Sequence, residues 1–260
     1  MQIFVINLEK DTERRSSITG QLSALGLPFE LVPGVYGAAL SPQELESNYD
    51  DRKARWRMAR SLVPAELGCA LSHLKVYRQM IDRRVPCALV LEDDVRLPAE
   101  LGSVLEASAR TLDPCHPDVW LLSPAEGRQG ASGERAIREG QLLLPYRSGF
   151  YTSSYLLTLA AAKALLAELY PVGDVADCWR RLNRYRVVDL FVLSPPLIHQ
   201  EQERFGSSTT ADYRAVIGTA LGRKVIYMLR RTRTVVSDIF YAPYRRRLRR
   251  TSGLQVTSAL

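Results

Sequence analysis

Three consecutive carboxylates, Glu92, Asp93 and Asp94, follow the uninterrupted apolar run Cys87–Leu91. Like charges a few ångströms apart repel and raise one another's pKa, so holding three together is costly. A divalent cation removes that cost: Mg²⁺ and Mn²⁺ prefer carboxylate oxygen and are commonly shared between one or two protein carboxylates and a substrate's phosphates. The preceding run has the length and composition of a strand buried on both faces, and α/β folds bind ligands beyond the carboxyl ends of such strands. The triplet thus stands where a nucleoside diphosphate site needs it. Its bland counterpart is a solvated acidic turn ahead of Pro98. His73, four residues after Cys69, reads either as a catalytic base or as a hydrogen-bonded core histidine.

The elements that position these groups follow from periodicity. Ile3–Leu8 is a short apolar run of strand length, and Asp11 or Thr12 can cap a helix in which Ile18, Leu22 and Leu25 recur on one face until Gly26 stops it. Phe29–Val32 is a second strand candidate. Gly34–Ser61 is polar and charged and reads as irregular. A helix from Pro64 carries Leu67, Leu71, Leu74, Tyr77 and Ile81 along one face and ends near Arg83 and Arg84. Further strands are expected at Val119–Leu122, Leu142–Leu144, Tyr155–Leu159 and Val187–Leu193, with helices at about 98–110, 160–169 and 174–183. Strands alternating with helices predict an α/β fold. Pro124–Gln141, poor in apolar residues, reads as a mobile surface loop of the kind that covers active sites.

Composition excludes several classes. At 260 residues, 46% hydrophobic and 24% charged, the chain is neither disordered nor a disulfide scaffold. Cys69, Cys87, Cys115 and Cys178 lie far apart with no CxxC pair and read as reduced thiols. No run approaches 18 apolar residues, and the opening segment has no basic n-region or cleavage site, so neither a membrane span nor a Sec signal is expected. The formal charge of +7 is unevenly placed: residues 221–250 hold ten Lys/Arg against the single acid Asp238, leaving 25 basic and 27 acidic residues elsewhere. Arginines interleaved with Val225, Ile226, Leu229, Phe240 and Tyr241 suit an anionic membrane surface, at roughly 1 kcal/mol per engaged basic residue. A solvated terminus is the plainer reading. Nucleic acid is not expected, because the body supplies no further basic patch.

Six segments, in order, resemble the signatures of glycosyltransferase family 25, the bacterial lipopolysaccharide and lipooligosaccharide glycosyltransferases with collagen galactosyltransferases as distant relatives. They are Ile6-Asn7-Leu8 with Arg14-Arg15, Glu66 through His73, Leu89 through Val95, and Tyr155 through Thr158 with Ala161, Ala162 and Lys163. Val175-Ala176-Asp177 and Pro195-Pro196-Leu197 with Gln200-Glu201 complete the set. The resemblance covers roughly residues 1–205, taken as a catalytic domain, with 206–260 as a basic, helical C-terminal appendage. It implies a GT-A-type fold with a mostly parallel central sheet, a UDP-sugar donor, Mn²⁺ or Mg²⁺, and inversion at the anomeric carbon. It also assigns roles. Glu92 and Asp94 would face ribose and metal, with Asp93 as an alternative ligand and His199 as a further one. Asn7, Leu8, Arg15, His73 and Gln200 would line the donor pocket.

For inversion, a base must take the acceptor's proton from within about 3 Å. Asp177 falls where the family's late acidic motif lies, and Asp174 precedes it by three residues on the same predicted helical turn. The commoner Pro-Val-Asp form is replaced here by Pro171-Val172-Gly173-Asp174, which leaves the choice between the two acids open, with Asp177 preferred. The expected function is metal-dependent transfer of a hexose, galactose being the family's commonest, from a UDP-sugar to a lipid-linked saccharide acceptor. The expected location is cytoplasmic, at the inner face of the cytoplasmic membrane. Two rivals remain: an inactive nucleotide- or anionic-lipid-binding protein on a transferase-like fold, and a metal-dependent phosphoryl-transfer enzyme, the latter disfavoured by the missing P-loop motif.

Overall fold

The computed structural model describes residues 1–124, 134–146 and 152–205, together with 228 and 232. Strand β1 (Gln2–Asn7) pairs in parallel with β2 (Glu30–Pro33) on one side and with β3 (Cys87–Glu92) on the other. Helix α1 (Thr12–Ala24) makes the crossover, burying Ile18 and Leu22, and Gly26 ends it at φ +64°, a conformation glycine adopts without steric cost.

Where an irregular segment was expected, two short helices form, α2 (Pro42–Asn48) and α3 (Asp51–Met58). Their ends are well capped. The Ser41 hydroxyl accepts from the Glu44 N–H while Glu44 reaches back to the Ser41 N–H, and Asp50 accepts from the Lys53 N–H. Their apolar content is small because α2 buries nothing and α3 buries only Ala54 and Met58.

Helix α4 (Pro64–Asp82) follows, and its first turn is pinned by Glu66, which accepts from the Val63 N–H and from both Arg60 terminal nitrogens at 2.6 and 2.7 Å. A short 3-10 turn at Gly37–Ala39 presses against it. A Cβ on Gly68 would come within 2.4 Å of the Val35 carbonyl oxygen, and one on Gly37 within 1.8 Å of the Pro64 oxygen. Backbone meets backbone there, so no side chain can be accommodated without moving α4.

The chain continues through β4 (Val95–Arg96), α5 (Leu101–Thr111), β5 (Asp118–Leu121), β6 (Arg135–Arg138), β7 (Gln141–Pro145) and β8 (Ser154–Thr158). It then forms α6 (Leu159–Leu169), α7 (Trp179–Arg184), β9 (Asp189–Ser194), β10 (His199–Gln200) and α8 (Gln202–Phe205). The main sheet has the order β2-β1-β3-β8-β5-β9-β7-β6. The α/β expectation with a mostly parallel sheet holds in strand direction: β2, β3, β5, β6 and β9 run with β1, and only β7 and β8 oppose it.

Successive residues of a strand face opposite sides, and here both sides are covered. Phe4, Val90 and Leu157 pack under α4, α6 and α7, while Ile3, Val5, Leu89 and Leu91 pack under α1 and α5. That double burial is why the strands read as continuous apolar runs.

Two further expectations need correction. Pro124–Gln141 is not one loop, since Arg135–Arg138 pairs antiparallel with β7; residues 125–133 lie outside the described residues. The helix expected at 174–183 begins only at Trp179, because the Asp174 side chain and the Asp177 carbonyl are used in turns, accepting from the Val175 N–H and the Trp179 N–H respectively. Asp174 and Asp177 therefore do not share a helical turn. The basic appendage, residues 228 and 232 apart, also lies outside the described residues. The four cysteines are unbridged. Among the described residues no helix is long and apolar enough to cross a membrane.

Candidate active site

The carboxyl end of β3 delivers Glu92, Asp93 and Asp94 to the edge of the sheet where the parallel strands β1 and β3 meet the reversed strand β8. Asp93 and Asp94 are buried. Asn7, at the end of β1, donates through Nδ2 to Asp93 Oδ2 at 2.6 Å, and Arg15 Nε donates to Asn7 Oδ1 at 2.7 Å. The two signature residues thus act in series: Arg15 fixes the amide, and the amide holds the acid. Leu8 makes the turn out of β1, its carbonyl accepting from the Asp11 N–H. Arg14 lies 3.4 Å from Asp93 Oδ1 and 3.5 Å from Asp94 Oδ2, and also donates to the Phe205 carbonyl.

Asp94 is held by residues more than a hundred positions further along the chain. Strand β10 pairs antiparallel with β4, setting Gln200 against Val95, and Gln200 Nε2 donates to Asp94 Oδ2 at 3.0 Å. The Glu201 N–H donates to the Asp94 carbonyl at 2.7 Å. The other carboxylate oxygen, Asp94 Oδ1, is buried with no hydrogen-bond partner. Burial first, and then the nearby Glu92 charge, push the Asp94 carboxyl up to about 6, and burial also raises Asp93. Burial opposes ionisation of Glu92 as well, but His73, Thr152 and Arg14 together hold it below the usual carboxylate range.

His73 projects from α4 and is 2% exposed. Its Nε2 faces Glu92 Oε1 at 3.3 Å, its Nδ1 meets the Tyr155 hydroxyl at 2.8 Å, and that hydroxyl meets Tyr77 at 3.0 Å. Both ring nitrogens are engaged, which makes His73 a buried support for Glu92 and leaves no nitrogen for a base at the site's surface. Thr152 Oγ1 donates to the same Glu92 oxygen at 2.7 Å.

Of the two candidate bases, Asp174 is buried and bound at 2.5 Å by Arg181 Nε. Arg181 also pairs with Glu168, which in turn pairs with Arg57, so Asp174 belongs to a buried ionic network between α3, α6 and α7. Asp177 is partly exposed. Its charge reaches the Cys69 thiol, which Glu92, Asp177 and Asp94 all raise after burial as the main cause. His199 is exposed and stands in register with Arg96. Alternation along β10 turns it away from the face that brings Gln200 to Asp94. Among the described residues the donor atoms of Glu92, Asp94 and His199 do not converge as a group, whereas those of Cys69, His73 and Glu92 lie within 4.8 Å of one another.

Arg14 and Tyr155, quoted in the signatures but given no role there, and Thr152, absent from them, are further contributors. Arg14 and Arg15 are adjacent on a helix face, and only tertiary placement tells which reaches the acids. Thr152 carries no local signal, since it acts through the pairing of β8 with β3.

Residues 1–179 match the profile of glycosyltransferase family 25 (LPS biosynthesis protein). Similar curated proteins include Procollagen galactosyltransferase 2 of Homo sapiens, 28% identical over 66% of this chain and 29% of the relative. A Glycosyltransferase 25 family member of Anopheles gambiae is 30% identical over 76% of this chain and 36% of the relative. The chain thus spans about a third of the length of these relatives. Among solved structures, a glycosyltransferase involved in the glycosylation of the major capsid of PBCV-1 aligns over 87% of this chain and 98% of its own, at 12% identity and a TM-score of 0.39. With the profile covering well over half its length, and with the signature residues Asn7, Glu92 and Asp93 gathered at one sheet edge, the chain belongs to glycosyltransferase family 25.

Proposed function

We propose that the protein transfers a hexose, most simply galactose, from a UDP-sugar to a saccharide acceptor on a lipid-linked glycan, with inversion and with Mn²⁺ or Mg²⁺ bound. The observation that carries this reading is Asp94: a buried carboxylate with an unpartnered oxygen, in a triplet whose own repulsion opposes its charge. Hard oxygen donors in that arrangement fit a hard divalent cation. Asp94, through Oδ1, and Glu92 are the residues that would hold it. When bound, the ion neutralises charge developing on the departing diphosphate.

The rest falls to the chain's own groups. Asn7 and Arg15 fix Asp93, and Gln200 orients Asp94 so that Oδ1 points away from it. Asp177, partly exposed and near the cluster, takes the acceptor hydroxyl's proton; Asp174, already neutralised by Arg181, is a structural acid. Galactose is supported by the name of the human relative, and a lipopolysaccharide-type acceptor by the family's description.

The test is UDP release from a panel of UDP-sugars with and without Mn²⁺. Metal-dependent release from one sugar is expected. Release of UMP or phosphate instead would make the protein a phosphoryl-transfer enzyme, and failure to bind any UDP-sugar under Mn²⁺ would favour a non-catalytic binding role.

The ten Lys/Arg of residues 221–250 support a second element of the proposal, docking on an anionic membrane where such an acceptor resides. Deleting residues 221–260 is expected to lower sedimentation with phosphatidylglycerol vesicles at least tenfold while sparing UDP-sugar binding. Equal partitioning of the two forms would refute it.

A further inference from the structure

A second cluster of metal-ligating side chains lies at the opposite edge of the sheet from the acidic triplet. Asp118 opens β5 and Asp189 opens β9, and the two are register partners in a parallel pair. Since β3, β5 and β9 run in one direction, their starts lie away from the edge where β3 ends in Glu92. His116 sits between the two acids, with Nδ1 2.8 Å from Asp118 Oδ1 and Nε2 3.3 Å from Asp189 Oδ2. One donor atom from each residue lies within 4.8 Å of the other two.

The imidazole is fixed before any ligand arrives. Its backbone N–H donates to the Asp113 carbonyl at 3.0 Å, and its own carbonyl accepts from the Asp118 N–H at 2.8 Å and from Thr158 Oγ1 at 2.5 Å. Asp118 is 5% exposed, so a buried carboxylate holds Nδ1 and thereby sets the ring's orientation. A carboxylate on one ring nitrogen, with the other nitrogen directed outward, is the outer support that metal-binding histidines characteristically have.

The two contacts are unequal. At 2.8 Å the Nδ1 contact has the length of a charge-assisted hydrogen bond, whereas the 3.3 Å at Nε2 is longer than the 2.7–2.9 Å such bonds prefer. It does match another length. Ligands about 2.0–2.1 Å from a tetrahedral Zn²⁺ stand roughly 3.4 Å apart along an edge of the tetrahedron. His116 Nε2 and Asp189 Oδ2 therefore already have the separation of two ligands to one ion, and both residues are open to solvent for the remaining water ligands.

We propose that His116 and Asp189, with Asp118 behind the ring, form a binding site for a first-row transition-metal ion of the Zn²⁺ class, separate from the cation of the transfer site. An imidazole in the ligand set selects such ions over Mg²⁺ or Ca²⁺. The ion clasps the starts of β5 and β9 and stabilises the folded chain by mass action.

The experiment is calorimetric titration of the full chain with Zn²⁺ in excess Mg²⁺, together with the thermal midpoint. Because other groups of the chain can also take up Zn²⁺, the comparison is with variants. His116→Ala is expected to bind one equivalent fewer than the wild type and to lose that part of the Zn²⁺-induced rise in midpoint. Asp189→Asn, which alters only a side chain at the strand's open end, is expected to weaken the same equivalent at least tenfold. Asp118→Asn is expected to weaken it 10- to 100-fold through the ring's orientation. Should His116→Ala misfold, Asp189→Asn carries the test alone. Unchanged stoichiometry and affinity in either of the His116 and Asp189 variants, when folded, overturns the proposal, and so does displacement of that equivalent by Mg²⁺.

Discussion

Asp94→Asn is expected to lower metal-dependent UDP release by about 10³-fold or more, because it removes the charge that would hold the cation against the leaving diphosphate. The same change is expected to stabilise the metal-free protein above pH 6. In the folded chain Asp94 titrates near 6 instead of its ordinary 3.8, so folding favours its protonated form. That contribution to stability is fully present below about pH 3.8 and is lost as pH rises through about 6. Above that point the wild type carries a buried charge beside Glu92 that asparagine does not. The gain is at most about 3 kcal/mol, reduced by whatever the Gln200 and Arg14 contacts lose. Thermal midpoints of both proteins at pH 5 and pH 8, in chelator, read the effect. A variant destabilised equally at both pH values would show that Asp94 is a structural acid whose charge the fold welcomes, and the metal reading would lose its support.

The two later acids are expected to separate cleanly. Asp177→Asn should cost between about 10² and 10⁴ in turnover with acceptor, the range of a lost general base, and, since Asp177 is partly exposed, should change the thermal midpoint little. Asp174→Asn should do the reverse. It leaves Arg181 buried with Glu168 as its remaining carboxylate, itself shared with Arg57. Breaking a buried pair from one side costs about 3 kcal/mol, which for a chain of this size lowers the midpoint by roughly 10 °C. Both readouts come from one pair of proteins: turnover on a saccharide acceptor, and melting. If Asp174→Asn lost turnover while melting normally, and Asp177→Asn were silent, the base would be Asp174.

The contrast between those acids also marks where sequence reasoning ends. Strands β1 and β3 and helices α1 and α4 were legible because their apolar residues are either continuous or regularly spaced, and burial of both sheet faces imposes that pattern. Helices α2 and α3 were not, since they bury almost nothing and are specified by caps. The acidic triplet was legible as a site because its position after an apolar run is local information. Its partners are not local. Arg14 reaches it from one turn into α1, Thr152 from just ahead of β8, and Gln200 by way of a two-residue ladder more than a hundred positions away. Nor could spacing tell Asp174 from Asp177, because tertiary packing is what buries Asp174 against Arg181 and leaves Asp177 partly exposed.

Strand β8 has a consequence for the order in which this molecule can be built. Among the described residues it is the only link in the main sheet between β2-β1-β3 on one side and β5-β9-β7-β6 on the other. Until residues 154–158 have emerged from the ribosome, β3 has an open edge, apolar on both faces, with no strand to satisfy its backbone. A pairing that spans more than sixty residues is also slow to find. The nascent chain therefore passes through a stage in which the strand bearing Glu92 is sticky and the groups that restrain that acid from β8 are not yet in place. Fragments ending before β8 should be the ones that aggregate.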